Sequence, residues 1–303
     1  MNVTQDRSGV IHTLGAYALW GVLPIYWKLL DHVSPGETLA HRIIWSAVLM
    51  IAIVLMVGKW NTFVDEWKVL LKNKWKFSGI FLATTVISLN WLTFIWAVHN
   101  DHVIQASLGY YINPLISILL GILVLKESFT FRQTLSFLMA AFGVLYLTIN
   151  YGVFPWISLL LATTFGLYGL LKKKIDIGPI IGLTIETMLV SPVALIYLFS
   201  ISQSAFQWNA LFSTTNILLM GAGVVTAIPL LLFASGARRI SLSMVGFLQY
   251  LAPTLMLLIG VFLYNETFTT AHLVAFLFIW AALINYMLAS YQKPSNKPLQ
   301  KIN

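Results

Sequence analysis

Glu186 is the one charged residue between Pro179 and Ser200, a stretch otherwise made of apolar and small residues. A carboxylate buried without partners in such surroundings costs several kcal/mol or takes up a proton. It therefore either faces a cavity, marking a solute or proton path, or holds its helix through a hydrogen bond or ion pair. Arg42 and Lys28 sit near the ends of two other apolar blocks. Each could draw an anionic solute inward or snorkel to lipid headgroups.

Tyr17, Gly21, Pro24 and Lys28 recur at intervals of four, three and four, so they share one helical face. Ser107, Tyr111, Pro114 and Gly121 do the same further on, as do Gly246, Tyr250, Pro253 and Gly260. Such faces either line a cavity, with rings to stack on a solute, or pack helices tightly through small residues. Proline breaks one backbone bond and frees a carbonyl for polar partners. The candidate substrate path comprises Glu186, Arg42, Tyr17, Trp20, Asn90, Trp91, Tyr110, Tyr111, Gln249 and Tyr250. Pro24, Pro114, Pro192, Pro253, Gly121 and Gly260 are candidates for helix breaks or close packing.

Several chemistries find no residues here. The sequence has no HExxH, no GxSxG, no Walker A loop and no closely spaced acid pair, so no catalytic residue, metal or cofactor is expected. Cysteine is absent, which excludes disulfides and thiolate-bound metals. His32, His41, His99, His102 and His272 are scattered and read most simply as polar surface.

The elements that position these residues follow from composition. Hydrophobic residues make up 59% and charged residues 9% of the 303, too few charges for a soluble domain's surface. Crossing a bilayer takes about 20 predominantly apolar residues in a helix. Ten blocks qualify: 10–30, 38–57, 77–98, 103–125, 129–149, 154–171, 179–200, 217–235, 241–264 and 270–291. The first block carries Trp20, Pro24 and Lys28 and lacks a small-residue cleavage site, so it reads as a retained span.

Sixteen of the 18 lysines and arginines fall in alternate loops and the tails, among them Lys172, Lys173, Lys174, Arg238, Arg239, Lys293, Lys297 and Lys301; Lys28 and Arg42 are the exceptions. Positive loops stay in the cytoplasm, so both termini are expected there. The basic residues form no dense cluster with exposed aromatics, which argues against nucleic acid. Between Trp60 and Trp75 the spacing of Phe63, Trp67, Leu70, Leu71 and Lys74 fits an interfacial helix, or a loop anchored by its aromatics. Trp60, Trp67, Trp75 and Trp208 read as interfacial belt residues.

The chain also matches itself. An offset of 139 lays Tyr111 on Tyr250, Pro114 on Pro253, Gly121 on Gly260, Glu127 on Glu266 and Phe129-Thr130 on Phe268-Thr269. An offset of 145 lays Trp20-Gly21 on Phe165-Gly166, Lys28 on Lys173, and Arg42 on Thr187, beside Glu186. A charge pair between Arg42 and Glu186 across a central cavity is thus conceivable. Five spans is an odd number, so the second half runs inverted, an arrangement that suits alternating access. The expected fold is an all-α integral membrane protein of ten transmembrane helices as two inverted five-helix repeats, 1–150 and 151–292, with a tail at 293–303.

The motifs are those of a known family. Tyr17-Ala-Leu-Trp20-Gly21-Val-Leu-Pro24-Ile-Tyr26-Trp-Lys28, Glu37-Thr-Leu-Ala-His41-Arg42-Ile-Ile-Trp45-Ser46, Asn90-Trp91 with Ile95-Trp96-Ala97-Val98, Ala106-Ser107-Leu108-Gly109-Tyr110-Tyr111-Ile112-Asn113-Pro114-Leu115, and Glu186-Thr187 before Pro192 carry the likeness. Across nearly its whole length the chain resembles the EamA (drug/metabolite transporter) family, in its RarD branch. The resemblance implies ten helices, an inner-membrane location and export or exchange of small metabolites. Partners would be a small-molecule solute, the bilayer and a proton or other coupling ion. Gln105 stands where the family pattern has an acid, so no acidic role is expected there.

Overall fold

The computed structural model describes residues 6–100, 102–152, 154–265 and 268–291. Glu266, expected to match Glu127, and Lys293, Lys297 and Lys301, expected in the cytoplasmic tail, lie outside them, as does the side chain of His99. Among the described residues all regular structure is helical: α1 (Arg7–Lys28), α2 (Pro35–Met56), α3 (Trp60–Lys72), α4 (Lys74–His99), α5 (Val103–Leu123), α6 (Phe131–Tyr151), α7 (Trp156–Lys174), α8 (Pro179–Ser200), α9 (Thr214–Ala237), α10 (Leu242–Gln249), α11 (Leu251–Leu263) and α12 (Thr270–Tyr291).

Side-chain caps set many of these starts. Ser34, Asn73, Ser213 and Ser241 each accept a first-turn N–H, and Thr130 with Gln133 closes a capping box on α6. Such caps replace partners that a helix end lacks. Among the described residues nine elements are long and apolar enough to cross a membrane: α1, α2, α4, α5, α6, α8, α9, the joined α10–α11 and α12. The tenth expected span, α7, falls short of that measure because Lys172, Lys173 and Lys174 close its last turn. Between α10 and α11 the chain breaks at Tyr250, three residues before Pro253, which has no N–H to give the Gln249 carbonyl. Its repeat counterpart Pro114 lies within an unbroken α5.

Most of the 60–75 segment is a helix, α3, that buries Phe63 and Leu70 against Val54, Ile80 and Ile181, while Lys74 and Trp75 open α4. That removes the plain-loop alternative. Outward-facing side chains such as Phe81, Leu92, Phe142, Ile196 and Phe199 are exposed, as suits a bundle whose solvent is lipid.

Helices of one half meet their equivalents in the other antiparallel. Along α6, Gln133, Ser136 and Tyr151 bond in turn to Ser290, Asn285 and His272 of α12, partner numbers falling as their own rise. On α5, Ser117 reaches Gln249 while Gly121 abuts Ser243. On α2, Gly36 abuts Tyr197 of α8 and Val54 packs with Ile181. Other contacts come in exchanged pairs: α1 packs on α9 as α7 packs on α4, and α1 on α11 as α7 on α5. The match reaches single residues, since Gly21 abuts Leu255 and Gly166 abuts Ile116, positions related by the offsets 145 and 139. The two halves are thus inverted with respect to each other.

Candidate functional site

Arg42 lies seven residues into α2, about 10 Å along it at 1.5 Å per residue. Its side chain turns into the bundle. Nε donates to Thr226 Oγ1 of α9 at 3.0 Å, and the guanidinium carbon stands 4.7 Å from the Trp27 ring centroid and 5.3 Å from that of Trp91. Indole faces offset part of the cost of taking the cation out of water. No carboxylate pairs with it among the described residues.

Glu186, seven residues into α8, belongs to a second charged centre. Its Oε1 accepts from Lys172 Nζ at 2.6 Å and its Oε2 from Tyr168 OH at 3.1 Å. Lys172 is 7% exposed and Glu186 4%, so the pair is closed from solvent. Lys172 is therefore a buried residue and not a loop charge. Tyr168 and Lys172 are four apart on α7, which brings both to one face, while Lys174 stays exposed. Glu186 stands about 10 Å from the lysine-rich end of α8 and closer to the helix midpoint than to that end.

Arg42 and Glu186 do not pair. A cavity of about 20 Å³, room for one water, lies between the groups that hold them: Thr226 and Trp91 border it on one side, Tyr168 and Glu186 on another. Ser46, Thr84, Ser88 and Thr187 supply hydroxyls, and Ile43, Ile87, Val190 and Leu230 apolar walls. Its position follows from an inequality between the halves. A Cβ on Gly223 would fall 2.3 Å from the Trp45 carbonyl carbon, so α9 meets α2 backbone to backbone, and Ser46 Oγ donates to the Gly223 carbonyl at 3.1 Å. At the repeat-related position α4 carries Thr84, whose buried hydroxyl has no partner among the described residues.

Next to this cavity is an aromatic cluster. Phe233 packs against Trp20, Phe165, Tyr168 and Tyr17 with ring centroids 5.7, 5.3, 5.9 and 6.2 Å away. Tyr17 is fully buried and its hydroxyl lacks a partner among the described residues.

Of the other candidates, Tyr110 is near enough to Arg42 to interact with it electrostatically, and the rest lie apart from the cavity. Asn90 donates to the Leu161 carbonyl at 2.8 Å and to Thr164 Oγ1 at 2.9 Å, which ties α4 to α7. Tyr110 is half-buried with its ring edge-on to Phe94, and Gln249 accepts from Ser117. Tyr111 and Tyr250 belong to a separate core with Phe276. Pro24 is half-buried and Pro192 is exposed, whereas Pro114, Pro253, Gly121 and Gly260 are buried. Gly121 makes room for Glu127, which accepts from the Leu242 and Ser243 N–H groups at 2.7 and 2.9 Å and caps α10. His41 is buried and not polar surface: it stacks on Phe206 beside Glu37, because the amphipathic start of α2 turns it inward. No group of three potential metal ligands occurs among the described residues.

Trp27, Thr226, Tyr168, Lys172 and Phe233 are the functional candidates that the sequence did not single out. The signal for Lys172 was its spacing from Tyr168; for the others nothing in the order of residues marks them.

Inverted helical halves around a charged, aromatic interior define a multi-pass membrane protein of the transporter class. The EamA-like transporter family matches residues 7–149 and 154–287, one stretch per half. Among similar proteins are the uncharacterized transporter YojE of Bacillus subtilis, 46% identical over 94% of this chain and 95% of its own length. Protein RarD of Salmonella typhi is 45% identical over 95% of this chain and 97% of its own. Protein RarD of Escherichia coli is 42% identical over 95% and 96%. A solved crystal structure shares the fold, with TM-score 0.72 and 18% identity over 94% of this chain and 99% of that one. The chain belongs to the EamA-like transporter family, in the branch of its RarD relatives.

Proposed function

We propose that the protein is a secondary transporter, an exporter or exchanger of small metabolites or drug-like solutes across the inner (plasma) membrane. Its termini lie in the cytoplasm, and residues 1–150 and 151–292 are the two repeats that exchange conformations to expose the central cavity on alternate sides. The observation that carries this reading is the unequal use of a shared contact. Phe233 of α9 covers Trp20 and Phe165, whereas its equivalent Phe94, at offset 139, faces Tyr110 instead. If the halves swap conformations, Phe94 takes that place and the opposite end closes.

Glu186 is the proposed coupling group. A proton reaching it weakens the bond to Lys172 and frees α7 from α8, which favours the other state. In proteoliposomes loaded with a transported solute, a pH gradient should accelerate flux, and Glu186→Gln should abolish that acceleration. Coupled flux unchanged in Glu186→Gln, with the protein folded, removes the residue from this role.

A further inference from the structure

We propose that the terminal N–H groups of Arg42 form an anion-recognition site, and that the transported solute bears a carboxylate or a comparable planar oxyanion on a small apolar body. This inference rests on the transport reading above and names its substrate class.

The guanidinium is held at one end. Nε is spent on Thr226, while the terminal nitrogens donate to nothing among the described residues and are not sealed from solvent-sized space. The guanidinium carbon lies over the Trp27 and Trp91 rings, contacts that hold the cation through the indole π faces and take up none of its N–H donors. Two parallel N–H groups in one plane match the two oxygens of a carboxylate, and such bidentate pairs are stronger and more directional than neutral hydrogen bonds.

Other cations near the bundle have their charges or donors met. Lys172 has Glu186, Arg238 has Asp176, Arg239 has Asp6, and Lys173 donates to the Ile240 and Ala237 carbonyls. An uncompensated guanidinium at membrane depth is expensive to maintain. Thr226 and Trp91, which hold it, also border the cavity, whose walls carry Ile43, Ile87, Val190 and Leu230. The charged head of the solute thus has a partner, beside a mostly apolar cavity that in this conformation has room for one water and widens only when the halves exchange conformations.

A side-directed test uses phenylglyoxal, which modifies accessible arginines, on the protein in liposomes, with Arg42 modification read by mass spectrometry of the α2 peptide. Probes are acid and amide pairs of equal shape, acetate with acetamide and phenylacetate with phenylacetamide, and inorganic phosphate as the second oxyanion. Arg42 should be modified, and protected by the acids but not the amides; protection by phosphate as well would extend the site to oxyanions in general. Charged hydrogen bonds of about 1.5–3 kcal/mol correspond to a loss of roughly tenfold or more in acid affinity for Arg42→Gln. Thr226→Val, which keeps the charge but frees the guanidinium from its anchor, should weaken acid binding and retain acid-over-amide selectivity. Equal protection by acid and amide, no protection by any oxyanion, or no modification at all overturns the site. Acid binding without any flux defeats the transport reading and leaves the site standing, whereas flux of a neutral solute unaltered by Arg42→Gln does the reverse.

Discussion

Trp20 and Phe165 hold the same position in the two halves, and they meet edge to face with ring centroids 5.6 Å apart and planes at 78°. A contact between a residue and its own repeat partner lies where the exchange axis passes, so either half can claim it. Phe233 now does.

The first prediction follows from that sharing. Each aromatic contact contributes about 0.5–1.5 kcal/mol, enough to move a two-state balance several-fold. Because the protein has no cysteine, Ser88→Cys gives a single reporter on the cavity wall. Labelling by an impermeant maleimide from the lysine-rich side should rise in Phe233→Ala and fall in Phe94→Ala. Shifts in the same direction for both would rule out the exchange.

The buried pair supplies a second expectation. Lys172→Met leaves the Glu186 carboxylate with Tyr168 alone, which costs about 3–5 kcal/mol as an uncompensated buried charge. Replacing both, Lys172→Met with Glu186→Leu, should recover most of that loss in thermal unfolding in detergent. A double variant as unstable as the single one would mean the pair does not act as a unit.

Glycine packing gives a third. Gly223→Ala pushes a methyl into the Trp45–Ser46 backbone, at 2.3 and 2.6 Å, and should cost about 1–3 kcal/mol by forcing α2 from α9. Gly182→Ala, with its nearest neighbours at 3.7 Å, is the control and should unfold at the parental temperature. Comparable melting of the two variants would contradict the close approach.

Glu127 is a fourth. Glu127→Gln retains the shape but loses the negative charge at the start of α10, where it accepts two backbone N–H groups, and should cost about 1–2 kcal/mol. Hydrogen exchange of the Leu242 and Ser243 amides should rise selectively. Uniform exchange across the chain would point to global instability instead of a lost cap.

The spans and the repeat were legible because both are written along the chain: apolar length sets a membrane crossing, and residues such as Pro114 and Pro253 keep their spacing in either copy. The inversion was legible too, since an odd number of spans forces it. The site was read less completely. Glu186 and Arg42 stood out as charges in apolar surroundings, and Glu186 borders the cavity as do Thr226 and Trp91, which hold Arg42, yet the pair imagined between the two charges does not form. Asn90, Tyr111 and Tyr250, expected along the path, in this conformation join α4 to α7 or fill a core.

What sequence alone determined is therefore the all-helical, membrane-spanning character of the chain, its internal duplication with the second half inverted, and which charges must be accounted for. The tertiary structure decided the partners: Lys172 for Glu186, Thr226 with Trp27 and Trp91 for Arg42, Phe233 and not Phe94 on Trp20. The reason is physical. Residues far apart in sequence meet according to how each helix is rotated and how deep it sits, and those depend on side-chain fit such as Gly223 against Trp45, which no spacing along the chain records.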